Sequence, residues 1–183
     1  GTLLVVATGR KPSLDGLALG RANVKHRPGG ILVDRYLRTS AKHIYAAGDV
    51  VGGPQFTHLA AWQGFHAARN ALLPGRAAGA IELVPRVTFL DPEIANVGLS
   101  ESDARARYGD EIRIHREECD NVDRAVTEGD TTGFIKVVTR SNGTILGATV
   151  VAQRAGEVIS EYALAVSQGL RLADLAGTIH PYP

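Results

Sequence analysis

Two short segments of this chain carry residue types suited to chemistry. The first is Ile44-Tyr45-Ala46-Ala47-Gly48-Asp49, an apolar run that gives way to small residues and then an acid. Open α/β sheets bind ligands beyond the carboxyl ends of their strands, and small side chains there let an extended cofactor lie against the backbone. A carboxylate at that edge can accept hydrogen bonds from sugar hydroxyls. Gly-Asp after a strand serves equally as a plain turn, so the motif alone leaves both readings open. His58 follows in the first turn of the next expected helix, whose amide groups and dipole favour negative charge. The second segment is Thr178-Ile179-His180-Pro181-Tyr182-Pro183. A residue before proline is held extended, which aims the His180 ring in one direction, and imidazole moves protons near neutral pH.

The other candidates read as structural. His58 and His66 are two helical turns apart, with no second ligand at i+4, so they form no metal site by spacing. His26, His43 and His115 fall in loop or strand-edge settings without a motif. Cys119 is flanked by Glu118 and Asp120, whose charge disfavours a thiolate, and it is a poor nucleophile.

Elements must position these residues. Leu3 to Ala7 is continuously apolar and ends at Thr8-Gly9, as expected of a strand buried in a parallel sheet. Residues 12–30 read as loop with one helical turn around Leu14 to Leu19, followed by short strands at Ile31 to Val33 and Ile44 to Ala46. A helix is expected from Thr57 to Leu73, with Leu59, Trp62, Phe65 and Leu72 on its apolar positions and Pro74-Gly75 ending it. A composition shift at Arg76 to Ala80 marks a domain boundary.

Beyond the boundary the pattern is α+β. Strands are expected at Val87 to Leu90, Ile94 to Val97, Ile112 to His115, Phe134 to Val138 and Ile145 to Val151. Ser100 with Asp103 makes a capping-box-like helix start, and that helix ends at Gly109. Asn142-Gly143 between two β-rich runs signals a hairpin, with positive φ expected at both residues. Glu157 to Leu170 reads as an amphipathic helix with Val158, Ile159, Tyr162, Ala163 and Val166 on one face and Gly169 near its stop.

Composition sets the class. The 183 residues are 44% hydrophobic with a formal net charge of +1, and no like-charged block offers a nucleic-acid stripe. No apolar run reaches the length of about 18 residues needed for a membrane span. One cysteine excludes an internal disulfide or a cysteine metal cluster, and a reducing cytoplasm is the default compartment.

The order of these features resembles the class I pyridine nucleotide-disulfide oxidoreductases, the family of dihydrolipoamide dehydrogenase, glutathione reductase and mercuric reductase. Val6-Ala7-Thr8-Gly9-Arg10-Lys11-Pro12 resembles the last strand of the NAD(P)-binding domain and its exit. Ile44 to Asp49 resembles the second FAD motif, and Thr88 to Glu101 the opening of the dimerisation domain, fourteen residues in the family's order. His180-Pro181 falls where the family carries its catalytic His-Pro, with a glutamate partner five residues after the histidine, beyond Pro183.

The resemblance implies an α+β dimerisation domain, an antiparallel sheet with helices, preceded by partial α/β remnants of the NAD(P)- and FAD-binding domains. The expected divisions are residues 1–10 for the end of the NAD(P)-binding domain, 11–78 for the C-terminal part of the FAD-binding domain and 79–183 for the dimerisation domain. It implies that Asp49 contacts the ribityl-pyrophosphate part of FAD, that Gly48, His58, Leu59, Ala60 and Gly9 belong to the cofactor sites, and that His180 is the catalytic acid–base. The parent enzyme would pass hydride from NAD(P)H to FAD and then electrons through a cysteine pair to a disulfide substrate, as a cytoplasmic homodimer with no nucleic-acid or membrane partner. The chain itself is then expected to be an inactive C-terminal fragment, without bound cofactor. Two alternatives stand beside this reading. One is a mercuric-reductase-type parent, which Asp120-Asn121-Val122 resembles; mercuric reductases carry an aromatic residue at the place of His180. The other is a purely non-catalytic dimerisation module.

Overall fold

The computed structural model describes residues 1–80 and 83–182. The chain forms two compact units, Gly1–Glu82 and Leu83–Pro183.

In the first unit a small core of Val24, Ile31 and Ala46 is packed by Leu14, Leu19, Ile44 and Val50. Its regular structure is sparse. A two-residue hairpin pairs β1 (His26–Arg27) with β2 (Gly30–Ile31), and Tyr45 makes only an isolated antiparallel bridge with Arg38. The expected strand at Leu3 to Ala7 is not formed. Leu3, Leu4, Val5 and Val6 are 71 to 85% exposed, because a strand needs a ladder partner and no segment among the described residues pairs with them. Leu14 to Leu19 is a run of turns, not a helical turn.

Helix α1 spans Thr57–Leu72 and ends where Leu73 adopts the extended backbone that Pro74 demands. The face it buries differs from the one its large side chains suggest. Leu59, Gln63 and Ala67, spaced four apart, are buried, whereas Trp62, Phe65 and Leu72 are 45, 67 and 81% exposed. The helix is apolar over most of its circumference, and only the stripe facing the loop core is covered within the unit. Asn70 pins its last turn: the side chain donates to the Ala77 and Tyr36 carbonyls at 2.7 and 3.1 Å and accepts from the Ala77 amide at 2.8 Å.

The second unit is an antiparallel five-stranded sheet in the order β3-β4-β7-β6-β5. The strands are β3 (Arg86–Thr88), β4 (Glu93–Gly98), β5 (Ile112–Glu118), β6 (Phe134–Arg140) and β7 (Ile145–Ala152). Helix α2 (Glu101–Tyr108) starts on Ser100, whose hydroxyl accepts from the Asp103 amide at 3.1 Å, and stops at Gly109. The β6–β7 hairpin turns at Ser141 to Thr144 as expected, but with different dihedrals. Gly143 alone has positive φ, +88°, and Asn142 does not. The Gly143 amide closes a turn on the Arg140 carbonyl at 2.9 Å, the form in which a type I turn is followed by a left-handed glycine.

Helix α4 (Ala155–Gln168) lies on β4 and β7 and closes the main core of Ala95, Val97, Val137, Ile145, Ala148, Val150, Ala155, Ile159 and Ala165. Gly169, left-handed at φ +65°, caps it. Two short helices, α3 (Asp123–Glu128) and α5 (Leu172–Ala176), were not anticipated. No helix among the described residues is long and apolar enough to cross a membrane.

Candidate functional site

In the first unit, Gly48 and Asp49 open a 3-10 turn (Gly48–Val51) that rests against the start of α1. Two features favour glycine at position 48. Its φ of +78° lies in the left-handed region that favours glycine, and a Cβ there would stand 3.2 Å from the Ala60 Cβ, a contact that would push Ala60 back by a few tenths of an ångström. Its amide donates to Gln63 Oε1 at 2.7 Å, and Gln63 is 6% exposed. That bond locks the turn to the helix. The Asp49 side chain is left on the exposed surface beside it.

Phe56 is the N-cap of α1 and supplies no side-chain cap. The helix therefore presents its positive end without a built-in acceptor from that residue. Leu59 is buried at 5% and anchors the first turn. His58 is exposed and stacks on Phe56 at 5.3 Å. The Ala60 amide is engaged within the helix, donating to the Phe56 carbonyl at 2.9 Å. The structure thus gathers Gly48, Asp49, His58, Leu59 and Ala60 around one turn and one helix start. Gly9 lies in an exposed stretch, with open space where a Cβ would stand.

In the second unit, His180 follows α5 and pairs with α4: its Nε2 is 2.8 Å from Glu161 Oε1, with the two side chains 50 and 47% exposed. The hydrogen bond to Glu161, then the charge of that carboxylate, raises the His180 proton affinity above that of an ordinary histidine. A half-exposed imidazole that holds a proton against a carboxylate can act as a general acid and recover the proton as a base. Pro183 lies outside the described residues, so the end of the His-Pro-Tyr-Pro segment is followed only to Tyr182.

The remaining candidates take structural places. Cys119 is 6% exposed and its thiol points at the Val151 carbonyl, 3.7 Å away. Burial, then the charges of Glu118 and Asp120, pushes the thiol pKa up, so burial outweighs the neighbouring carboxylates that the sequence points to. His115 bonds Thr139 Oγ1 across β5 and β6 at 3.1 Å. His66 packs at a tilt on Trp62 and edge-on to Phe65, and no group of side chains suited to a metal occurs among the described residues. Sequence reasoning missed Gln63 and Glu161. Gln63 had a readable signal, a polar residue on the Leu59-Ala67 stripe; Glu161 had none.

The comparisons with known proteins cover nearly all of the chain. The family model described as the pyridine nucleotide-disulphide oxidoreductase dimerisation domain matches residues 84–183, and the model described as pyridine nucleotide-disulphide oxidoreductase matches residues 1–64. A mercuric reductase of Bacillus cereus is 44% identical over 98% of this chain and 28% of its own length. A dihydrolipoyl dehydrogenase of Thermus scotoductus is 40% identical over 98% of this chain and 39% of its own. Among solved structures, the HOCl-induced flavoprotein disulfide reductase RclA from Escherichia coli superposes with a TM-score of 0.87 at 29% identity, over 97% of this chain and 41% of that one. LpdA from Mycobacterium tuberculosis gives 0.85 at 36%, over 94% and 38%. The chain thus spans 28 to 39% of the length of these two curated relatives. On both family models, this chain belongs to the pyridine nucleotide-disulphide oxidoreductases.

Proposed function

We propose that this chain serves as the C-terminal part of an FAD-dependent NAD(P)H:disulfide oxidoreductase, contributing part of the FAD site, the homodimer interface and, in His180, the acid–base of thiol–disulfide exchange. Family members use FAD and a pyridine nucleotide. The observation that carries the disulfide reading is the His180–Glu161 contact of 2.8 Å. Exchange between thiols needs a thiolate to attack and a proton for the thiolate that leaves. A proton-holding imidazole answers the second need.

FAD fits the first unit on one observation. Gly48 brings the turn close over Ala60, beside the exposed Asp49 and the start of α1, where the N-cap Phe56 offers no side-chain acceptor. In that role Asp49 accepts hydrogen bonds from the ribityl-pyrophosphate part, and the backbone at His58, Leu59 and Ala60 faces the ring with the positive end of the helix. Gly9 belongs to the exit of the NAD(P)-binding domain. Bound there, FAD supplies the two-electron relay between nicotinamide and disulfide. Residues 1–10, 11–78 and 79–183 then divide among the NAD(P)-binding, FAD-binding and dimerisation domains. In isolation the chain is a colourless, inactive homodimer, and its compartment is the cytoplasm, where a single free thiol stays reduced.

A second reading, a mercuric-reductase-type parent, is favoured by the 44% identity to the Bacillus cereus enzyme. Steady-state NAD(P)H oxidation by the holoenzyme separates the two. A small-molecule disulfide as the better acceptor supports the proposal. Hg(II) as the better acceptor overturns it.

A further inference from the structure

The turn that carries Asp49 is clamped at both ends, by different means. At its carboxyl end the β1–β2 hairpin lies against it. A Cβ at Gly30 would stand 2.5 Å from the Val51 carbonyl carbon, and one at Gly52 would overlap the Gly29 carbonyl oxygen. Backbones come that close only through glycine, so Val51 and Gly52 are held by direct contact. At the amino end the hold is a hydrogen bond, from the Gly48 amide to Gln63 Oε1 at 2.7 Å. Gln63 is 6% exposed and sits between Leu59 and Ala67 on the buried stripe of α1. A side-chain amide in such a place is costly unless it is hydrogen-bonded, and a backbone N–H facing it calls for its carbonyl oxygen. Between the two clamps the Asp49 carboxylate is exposed, with no hydrogen-bond or ion-pair partner among the described residues. Its direction is set by the backbone of the turn.

We infer that Gln63 is a positioning residue of the FAD site: by holding the Gly48 amide it fixes the amino end of the turn, and so the aim of the Asp49 carboxylate at the ribityl-pyrophosphate part of the cofactor. This role rests on the reading of Asp49 as an FAD contact, and it adds the residue that sets the geometry of that contact. Gln63 acts through the backbone between positions 48 and 49, from inside the unit. A turn released at its amino end spreads over several directions in the cofactor-free protein, and FAD then binds only the fraction that points correctly. The loss of one hydrogen bond of ordinary net strength corresponds to a Kd raised by about 2- to 10-fold.

Titration of the full-length apoenzyme with FAD, followed by flavin fluorescence, tests this without any turnover. Gln63→Met and Gln63→Leu fill the place of the side chain and remove the acceptor, and far-UV circular dichroism checks that each folds. Either variant should bind FAD about 2- to 10-fold more weakly than wild type. In the Asp49→Ala background the same replacement should cost less than about twofold further, because no carboxylate is left to aim; a merely structural role would give the full loss again. Ala67→Gly, one turn along the same stripe, weakens the helix without touching the turn and should keep the wild-type Kd. Wild-type affinity in the Gln63 variants overturns the inference, as does an undiminished loss in the Asp49→Ala background or an equal loss in Ala67→Gly. Unchanged FAD binding in Asp49→Ala itself removes the FAD reading of the turn, and the role of Gln63 falls with it.

Discussion

Ile159→Ala should destabilise the second unit strongly while leaving its exposed surface untouched. Ile159 is 2% exposed and stands between the α4 backbone and the sheet. Truncation deletes three buried carbons, a loss of about 2.4 kcal/mol at roughly 0.8 kcal/mol each. The surroundings decide how much the cavity adds. The core that holds Ile159 is rich in alanine, with Ala95, Ala148, Ala155 and Ala165 all 3% exposed or less, and alanine side chains cannot swing in to fill a hole. The cavity term therefore stays largely uncompensated and brings the total toward about 4 kcal/mol. Urea unfolding followed by far-UV circular dichroism would show a lower midpoint at unchanged slope. Ser160→Ala, the adjacent exposed position on α4, should stay within about 0.5 kcal/mol of wild type. A loss below about 1 kcal/mol for Ile159→Ala, the low end for such truncations, would refute the assignment of α4 as the element that closes this core.

Gly147 faces Gly98 across β4 and β7, and a Cβ at position 147 would lie 2.2 Å from the Leu99 carbonyl oxygen and 2.6 Å from its amide. Gly147→Ala must push these backbones apart and should cost about 1–3 kcal/mol or more in the same unfolding assay. Cys119, buried and with its pKa raised, should react with a thiol-specific alkylating agent far more slowly in the native chain than in urea; equal rates would place the thiol at the surface. For the His180–Glu161 pair the sign of the pH dependence is fixed. A histidine whose folded pKa lies above its unfolded one contributes stability that is full below the unfolded value and fades as pH rises through the folded value. The stability difference between wild type and His180→Gln should shrink with rising pH across the histidine range; growth of the difference would contradict the pairing.

What the sequence disclosed follows from how local each cause is. The α2 cap is contained in Ser100 and Asp103, the β6–β7 hairpin in Asn142-Gly143, and the stop of α4 in Gly169, so these were legible. Asn142 shows the limit of such reading: the turn formed, but with positive φ at Gly143 alone. Leu3 to Ala7 has the composition of a buried strand, yet composition supplies no ladder partner. Trp62, Phe65 and Leu72 have the right spacing for a helix, but which face of α1 is covered depends on what lies against it. Helices α3 and α5, of six and five residues, are too short to form on propensity and exist through tertiary contacts. The candidate site divides in the same way. Gly48, Asp49 and His180 carry their chemistry in their residue types, while Gln63 and Glu161 act at separations of fifteen and nineteen residues that no local pattern connects.

The most direct test of the central claim separates the two half-reactions of the holoenzyme carrying His180→Gln. If His180 supplies the proton for the departing thiolate, flavin reduction by NAD(P)H should proceed at the wild-type rate. Reoxidation by a small-molecule disulfide should then slow by about 10²–10⁴-fold, the range of a lost acid–base residue. Reoxidation at the wild-type rate would contradict the assignment of His180 and, with it, the disulfide chemistry proposed for this chain.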